Sequence, residues 1–227
     1  RDAAAAGLAL RFGPRAFAGQ KASVGPLPAL AAVEGESPAA ITREALSLLG
    51  GMGRFIGRGD KVVIKPNIGW DRTPEMAACT NPEVVKTLVE LVLGAGAKKA
   101  VVIDNTTNQA KRCYVRSGIQ AAVEQAGGDM LFVDDYRVKK MALKGEWLKE
   151  WEILLDVVEA DKIINVPIAK HHSLCRLTLG AKNWLGATGG ARNQFHQSLD
   201  KTVVDLAAFF RPQLTVLDAY RILVRNG

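Results

Sequence analysis

The sequence predicts an α/β fold, with a mostly parallel sheet, helices on both faces, and a C-terminus that stops before the fold closes. Three observations carry this reading. Short apolar runs without alternation, such as Val62-Val63-Ile64 and Ala100-Val101-Val102-Ile103, read as strands buried on both faces. Segments with helical apolar spacing separate these runs. The two kinds of segment alternate along the chain, as they do where parallel strands are joined by helical crossovers.

In chain order, residues 1–18 read as the remnant of an export signal. An apolar run from Ala3 to Leu10 breaks at Gly13-Pro14, and Ala16-Phe17-Ala18 fits a small-x-small cleavage site. The run is rich in Ala and Gly, as twin-arginine signals tend to be. It implies an exported, periplasmic protein; a merely Ala-rich leader on a cytoplasmic protein is the alternative. Residues 19–36 are rich in Pro, Gly and Ala and read as a linker or an edge strand. Residues 37–227 read as a single α/β domain.

Within that domain, Ser37-Pro38 supplies an N-cap and a proline at the first helical position, ahead of Ile41, Ala45, Leu48 and Leu49. Gly50-Gly51 ends that helix, and Val62–Ile64 runs as a strand into Lys65-Pro66-Asn67. Asn81-Pro82 opens the clearest helix, with Val85, Leu88, Val89 and Val92 on one stripe. The strand over 99–103 then ends at Asp104. A helix around Ile119 to Ala126 leads to a strand from Met130 to Val133, which ends at Asp134-Asp135. Region 136–160 is ambiguous, because Trp147 and Trp151 have helical spacing while Trp151–Leu155 fits a strand. Lys162–Val166 is a further strand, and a helix near Leu199–Phe210 precedes the strand Leu214–Leu217 and Asp218. Leu174, Leu177, Ala181 and Trp184 have the spacing of a helix starting near Ser173.

Composition narrows the function classes. The net charge is +7, but Lys and Arg are scattered and only 6% of residues are aromatic. A nucleic-acid stacking platform is therefore disfavoured relative to a solvated basic surface. No apolar run reaches the ~18–20 residues of a membrane span. Cys79, Cys113 and Cys175 are odd in number and far apart, too few for a four-thiolate iron–sulfur cluster or a structural zinc site from this chain alone.

Ligands of open α/β sheets bind beyond the carboxyl ends of the strands. Those ends carry Lys65 and Asn67, then Asp104, then Lys170, His171 and His172, and finally Asp218. The two lysines make a cationic rim suited to a carboxylate or phosphate, and a helix starting near Ser173 would add free backbone N–H groups. Asn67 and Asn183 are candidate orienting amides. On a continuous helix, however, Lys182 and Asn183 lie too far from Ser173 to reach the same place. His171 and His172 are adjacent and diverge on any regular element, and with His196 they show no metal-ligand spacing, so no metal site is assigned.

The blocks VVIKPNIG (62–69), NVPIAKHHSLCRLTLGAKNWLG (165–186), His196 and LTVLDA (214–219) resemble the bacterial and archaeal domain of unknown function 362 family. The resemblance maps a K-x-H pair to Lys170 and His172 and a K-N-x-x-G block to Lys182, Asn183 and Gly186. It implies an association with ferredoxin-like iron–sulfur modules, although this chain has no cysteine-rich module of its own. The leading expectation is a domain that binds a small anionic molecule, with His172 as the proton-transfer group. Its ligand-binding residues would be Lys65, Asn67, Asp104, Lys170, Lys182, Asn183, His196 and Asp218. A non-catalytic domain that docks an iron–sulfur protein is the alternative. A third reading gives Lys182 and Asn183 a purely internal hydrogen-bonding role.

Overall fold

The computed structural model describes residues 27–225 together with the backbone of 8–11. β1 (Leu8–Arg11) pairs in parallel with β2 (Leu30–Val33), so part of the 19–36 segment is an edge strand. The Ala16-Phe17-Ala18 cleavage pattern lies outside the described residues. α1 (Pro38–Leu48) starts where expected, with the Ser37 hydroxyl accepting from the Ala40 N–H. Its buried positions are Thr42 and Leu46. The apolar stripe that marks the helix in sequence flanks them and is only half-buried.

β3 (Lys61–Pro66), α2 (Pro82–Gly94), β4 (Lys99–Ile103), α3 (Ala110–Arg116), α4 (Ile119–Gln125) and β5 (Asp129–Leu131) follow in order. The Asn81 side chain caps α2 by accepting from the Glu83 N–H. α3 has no sequence signal comparable to that of α2, but it sets the end of β4. Its Tyr114 hydroxyl donates to the Asp104 carbonyl at 2.7 Å and accepts from the Asp104 N–H at 3.1 Å.

The ambiguous region 136–160 is an antiparallel hairpin of β6 (Val138–Ala142) and β7 (Glu150–Leu154), followed by a single turn, α5 (Leu155–Val158). β8 (Lys162–Val166) is the strand expected there. The chain then departs from its predicted course. No helix begins at Ser173. Instead β9 (Ile168–His172) and β10 (Arg176–Thr178) form a tight antiparallel hairpin, turned through Arg176 at a φ of +63°. The apolar residues that mimic a helical stripe fall on that hairpin and on a 3₁₀ segment over Lys182–Ala187. α6 (Leu199–Phe209), β11 (Leu214–Thr215) and β12 (Asp218–Leu223) complete the described chain. β12 pairs with β9 beside the hairpin.

The main sheet is parallel throughout, with spatial order β11-β8-β3-β4-β5. Its two cores lie on opposite faces. Val62, Ile64, Val102 and Ile164 pack with Leu88, Val89 and Ile119 under α2 and α4. Val63, Val101 and Ile103 pack with Trp184, Leu206 and Phe210 on the α6 side. The chain builds β3, β4 and β5 in one direction and then returns to place β8 on the other side of β3. That reversal leaves a crevice outside the carboxyl ends of β3 and β8, the position at which open α/β sheets take ligands.

Candidate functional site

A cavity of about 590 Å³ opens at this reversal, within the size range of small-molecule sites. Lys65 and Asn67 reach it from the end of β3, and Asp104 and Asn105 from the end of β4. Pro167 and Ile168 come from the chain leaving β8. On β9, Lys170 and His172 are two residues apart and so share one face, which lines the cavity. His171 takes the opposite face. The 3₁₀ segment brings Lys182, Asn183 and Gly186 to the same space, which a continuous helix from Ser173 would have prevented.

The floor is a buried polar lattice. Lys65 Nζ lies 2.6 Å from Asp104 Oδ1, with both side chains almost fully buried. The same ammonium donates to the Pro66 carbonyl at 2.8 Å and to Asn183 Oδ1 at 3.1 Å. Burial pushes the Lys65 pKa down and the Asp104 pKa up, and the charge of each partner opposes the shift of the other. Asp104 Oδ2 also accepts from the Ile68 N–H at 2.6 Å.

Asn183 is fully engaged. Its amide nitrogen donates to the Lys65 carbonyl at 3.1 Å and to Asn165 Oδ1 at 2.8 Å. Its oxygen accepts from Lys65 and from Asn67 Nδ2. All four of its hydrogen-bonding positions are occupied by protein, so it braces the floor. Gly186 closes the K-N-x-x-G block for a steric reason. A Cβ there would fall on Asp104 Oδ1 and 2.7 Å from Lys65 Nζ. Only glycine lets the loop lie against the ion pair.

Lys170 is 4% exposed. Its Nζ donates to the Ala78 carbonyl at 2.6 Å and to Asn67 Oδ1 at 3.0 Å, and lies 6.0 Å from the centre of the Trp70 ring. Among the described residues, no carboxylate lies within ion-pair distance of it. Burial lowers its pKa to about 8; Cys79 and Asp104 work against the shift, while Lys182 and Lys65 add to it. The Lys182 side chain makes no hydrogen bond or ion pair among the described residues, and burial lowers its pKa as well.

His172 sits at the mouth. Its Nδ1 accepts from the Leu174 and Cys175 N–H groups at 3.1 and 3.3 Å. An accepting Nδ1 carries no proton, so neutral His172 holds its proton on Nε2. Partial burial, followed by Lys182, His196 and Lys170, lowers its pKa to about 4. Neutral His172 thus offers its Nε2–H as a hydrogen-bond donor. His196 is exposed, with Nδ1 3.2 Å from the Asn193 carbonyl and its ring nearly parallel to that of His172 at 6.5 Å.

The structure therefore gathers Lys65, Asn67, Asp104, Lys170, His172, Lys182, Asn183 and His196 around one space. Asp218 is not among the lining residues. It is buried at the start of β12, where its carboxylate accepts from the Asn81 N–H at 2.8 Å and the Tyr220 N–H at 3.1 Å. It stands at the head of a strand because β11 is only two residues long. Asp134 and Asp135 are exposed beyond the edge strand β5. Arg72 and Arg192 do line the cavity and carry no sequence pattern that singles them out. Arg192 donates to the carbonyls of Asn105 and Thr106 at 2.7 and 2.6 Å, which leaves other guanidinium donors available.

Charge is one-sided here. The lining holds five cationic side chains (Lys65, Arg72, Lys170, Lys182 and Arg192) and one carboxylate, Asp104. Among the described residues, no group of three or more His, Cys, Asp or Glu side chains is arranged to hold a metal ion. The three cysteines are free thiols. No helix among the described residues is long and apolar enough to cross a membrane.

A family model described as Domain of unknown function (DUF362) matches residues 62–227. A curated relative, the thylakoid-associated protein sll1697 of Synechocystis sp. (strain ATCC 27184 / PCC 6803 / Kazusa), is 28% identical over 202 residues. The alignment covers 86% of this chain and 62% of that protein, so the chain spans less than two thirds of the relative's length. The family match covers most of the chain and takes in every residue lining the cavity. The chain belongs to the DUF362 family.

Proposed function

We propose that this DUF362 chain binds a small molecule carrying one or more carboxylate or phosphate groups in the cavity at the ends of β3, β4 and β8. The observation that carries the reading is the imbalance of five cations against one carboxylate around a single space. Like charges crowded into a partly dry site repel one another, and an anion relieves that repulsion. The donors divide by availability. Lys65 already has three partners and Asn183 four, so they hold the floor and contribute field. Lys170, Lys182, Arg72 and Arg192 retain donors for the ligand, and His172 offers its Nε2–H.

A second reading is that the basic surface docks an acidic iron–sulfur protein, as the net charge of +7 would favour. We also propose export to the periplasm, from the signal-like pattern of residues 1–18, with a cytoplasmic protein as the alternative; cell fractionation tests it directly. Native mass spectrometry of the full-length protein from its source separates the two functional readings. A retained small anion, lost when Lys170 and Lys182 are both replaced by Gln, supports the cavity. Co-isolation of a cluster-bearing protein with an empty cavity supports docking and counts against the anion site.

A further inference from the structure

Lys65 and Lys170 are both buried lysines in one cavity, yet their surroundings differ in kind. Lys65 has three acceptors for its three N–H bonds, and one of them is a carboxylate. That environment suits an ammonium. Lys170 has two acceptors, both neutral: the Ala78 carbonyl and Asn67 Oδ1. Among the described residues no third acceptor meets its Nζ. In the uncharged form the amine's two N–H bonds match these two acceptors and its lone pair takes the remaining tetrahedral position; in the charged form that same position is the donor left for an anion. Lys170 also lines the open space, so this position is accessible to a bound molecule.

We propose that Lys170 is a nucleophile that condenses with the carbonyl carbon of a 2-oxo acid or similar carbonyl-bearing carboxylate held in the cavity, giving a Schiff base. The proposal rests on the anion-binding reading above and narrows its ligand class. The Nζ lone pair forms a C–N bond to the carbonyl carbon while the C=O π pair moves to oxygen. A proton passes from nitrogen to that oxygen to give a carbinolamine. The C–O bond then breaks with loss of water and leaves the C=N bond. No electrons are exchanged with an oxidant or reductant.

The surroundings serve each requirement. Burial, and after it the nearby Lys182 and Lys65, favours the uncharged amine, as desolvation and neighbouring cations do for reactive lysines generally. Lys182 and Arg192 line the same space and supply cations for the carboxylate that would flank the carbonyl. His172, two residues along the same strand face, presents an Nε2–H that can donate to the departing oxygen. Asn67 fixes the amine from one side and is itself tied to Asn183.

The test is reductive trapping on the full chain. The protein is incubated with pyruvate or glyoxylate and cyanoborohydride at about pH 8, then read by intact mass and peptide mapping. The expected result is a single reduced adduct on Lys170, suppressed by excess malonate, which carries carboxylates but no ketone. Lys170→Arg should abolish the adduct, and the wild-type peptide map stands alone if that variant does not fold. Modification spread over exposed lysines, or none at Lys170, overturns the proposal. Calorimetry with malonate separates the two levels of inference. Malonate binding without an adduct overturns the Schiff base only, whereas absence of both overturns the anion site as well.

Discussion

Replacing Asp104 with Asn isolates the ion pair on which the floor of the site is built. The amide keeps the size of the carboxylate and one acceptor for the Ile68 N–H, but it removes the charge 2.6 Å from Lys65 Nζ. Lys65 is 1% exposed and Asp104 2%, so water cannot substitute for the lost partner. The remaining ammonium must either stay buried without a counter-charge or give up its proton. Breaking a buried pair from one side costs about 3–5 kcal/mol. For a chain of this length each kcal/mol moves Tm by about 2–4 °C, so the expected fall is about 6–20 °C. Thermal and urea unfolding followed by circular dichroism measure it. Pairing the change with Lys65→Met should recover most of the loss, because the cost lies in the orphaned charge rather than in missing packing. A fall in Tm of under about 2 °C in the single variant, below the loss expected for 1 kcal/mol, would refute the reasoning.

Three further outcomes follow from the same geometry. Gly186→Ala should destabilise by about 1–3 kcal/mol or more, because its Cβ meets two buried charged groups, whereas Gly53→Ala, with open space around the same position, should not; chemical denaturation compares them. Lys170 has a folded pKa of about 8 against an ordinary 10.5, so between those values the unfolded chain binds the extra proton and stability rises with pH. Measured against Lys170→Gln, wild type should gain ~3 kcal/mol from pH 7.5 to 10.5, while its affinity for anions falls as pH passes about 8. In the ligand-free protein, His172 should show no titration between pH 5 and 7.5 and a protonated Nε2 throughout, which nitrogen chemical shifts report; a midpoint near 6.5 would contradict its placement.

Much of the fold is legible because local and tertiary preferences agree. Asn81-Pro82 caps a helix in sequence and in structure, and β3, β4 and β8 announce themselves as apolar runs because both of their faces are covered. The misread stretch is the one where these signals separate. Leu174 and Leu177 are spaced like a helix stripe, yet both are exposed on a hairpin whose pairing to β12 is long-range and invisible locally. The same error hid how Lys182 and Asn183 reach the cavity. The rule that ligands gather at strand ends singles out Lys65, Asn67, Asp104, Lys170 and His172 without any motif, and all five line one cavity. Asp218 lies outside that cavity, because a two-residue strand shifts the carboxylate to the head of the next one, and the rule does not reach Arg72, which sits in a loop, or Arg192, which opens a 3₁₀ segment. Asn183 belongs to both readings raised by its sequence. Its side chain is wholly internal, and it holds Lys65 directly and Lys170 through Asn67.

The proposed anion site is tested most directly by isothermal calorimetry of the full-length protein with inorganic phosphate and with malonate. One-to-one binding should appear for at least one of them and weaken as salt is raised. Lys170→Gln, Lys182→Gln and Arg192→Gln should each weaken it by about ten- to hundredfold, the range of one lost charge-assisted hydrogen bond. Binding of neither anion, or binding unchanged in all three variants, would contradict a ligand site at the ends of β3, β4 and β8.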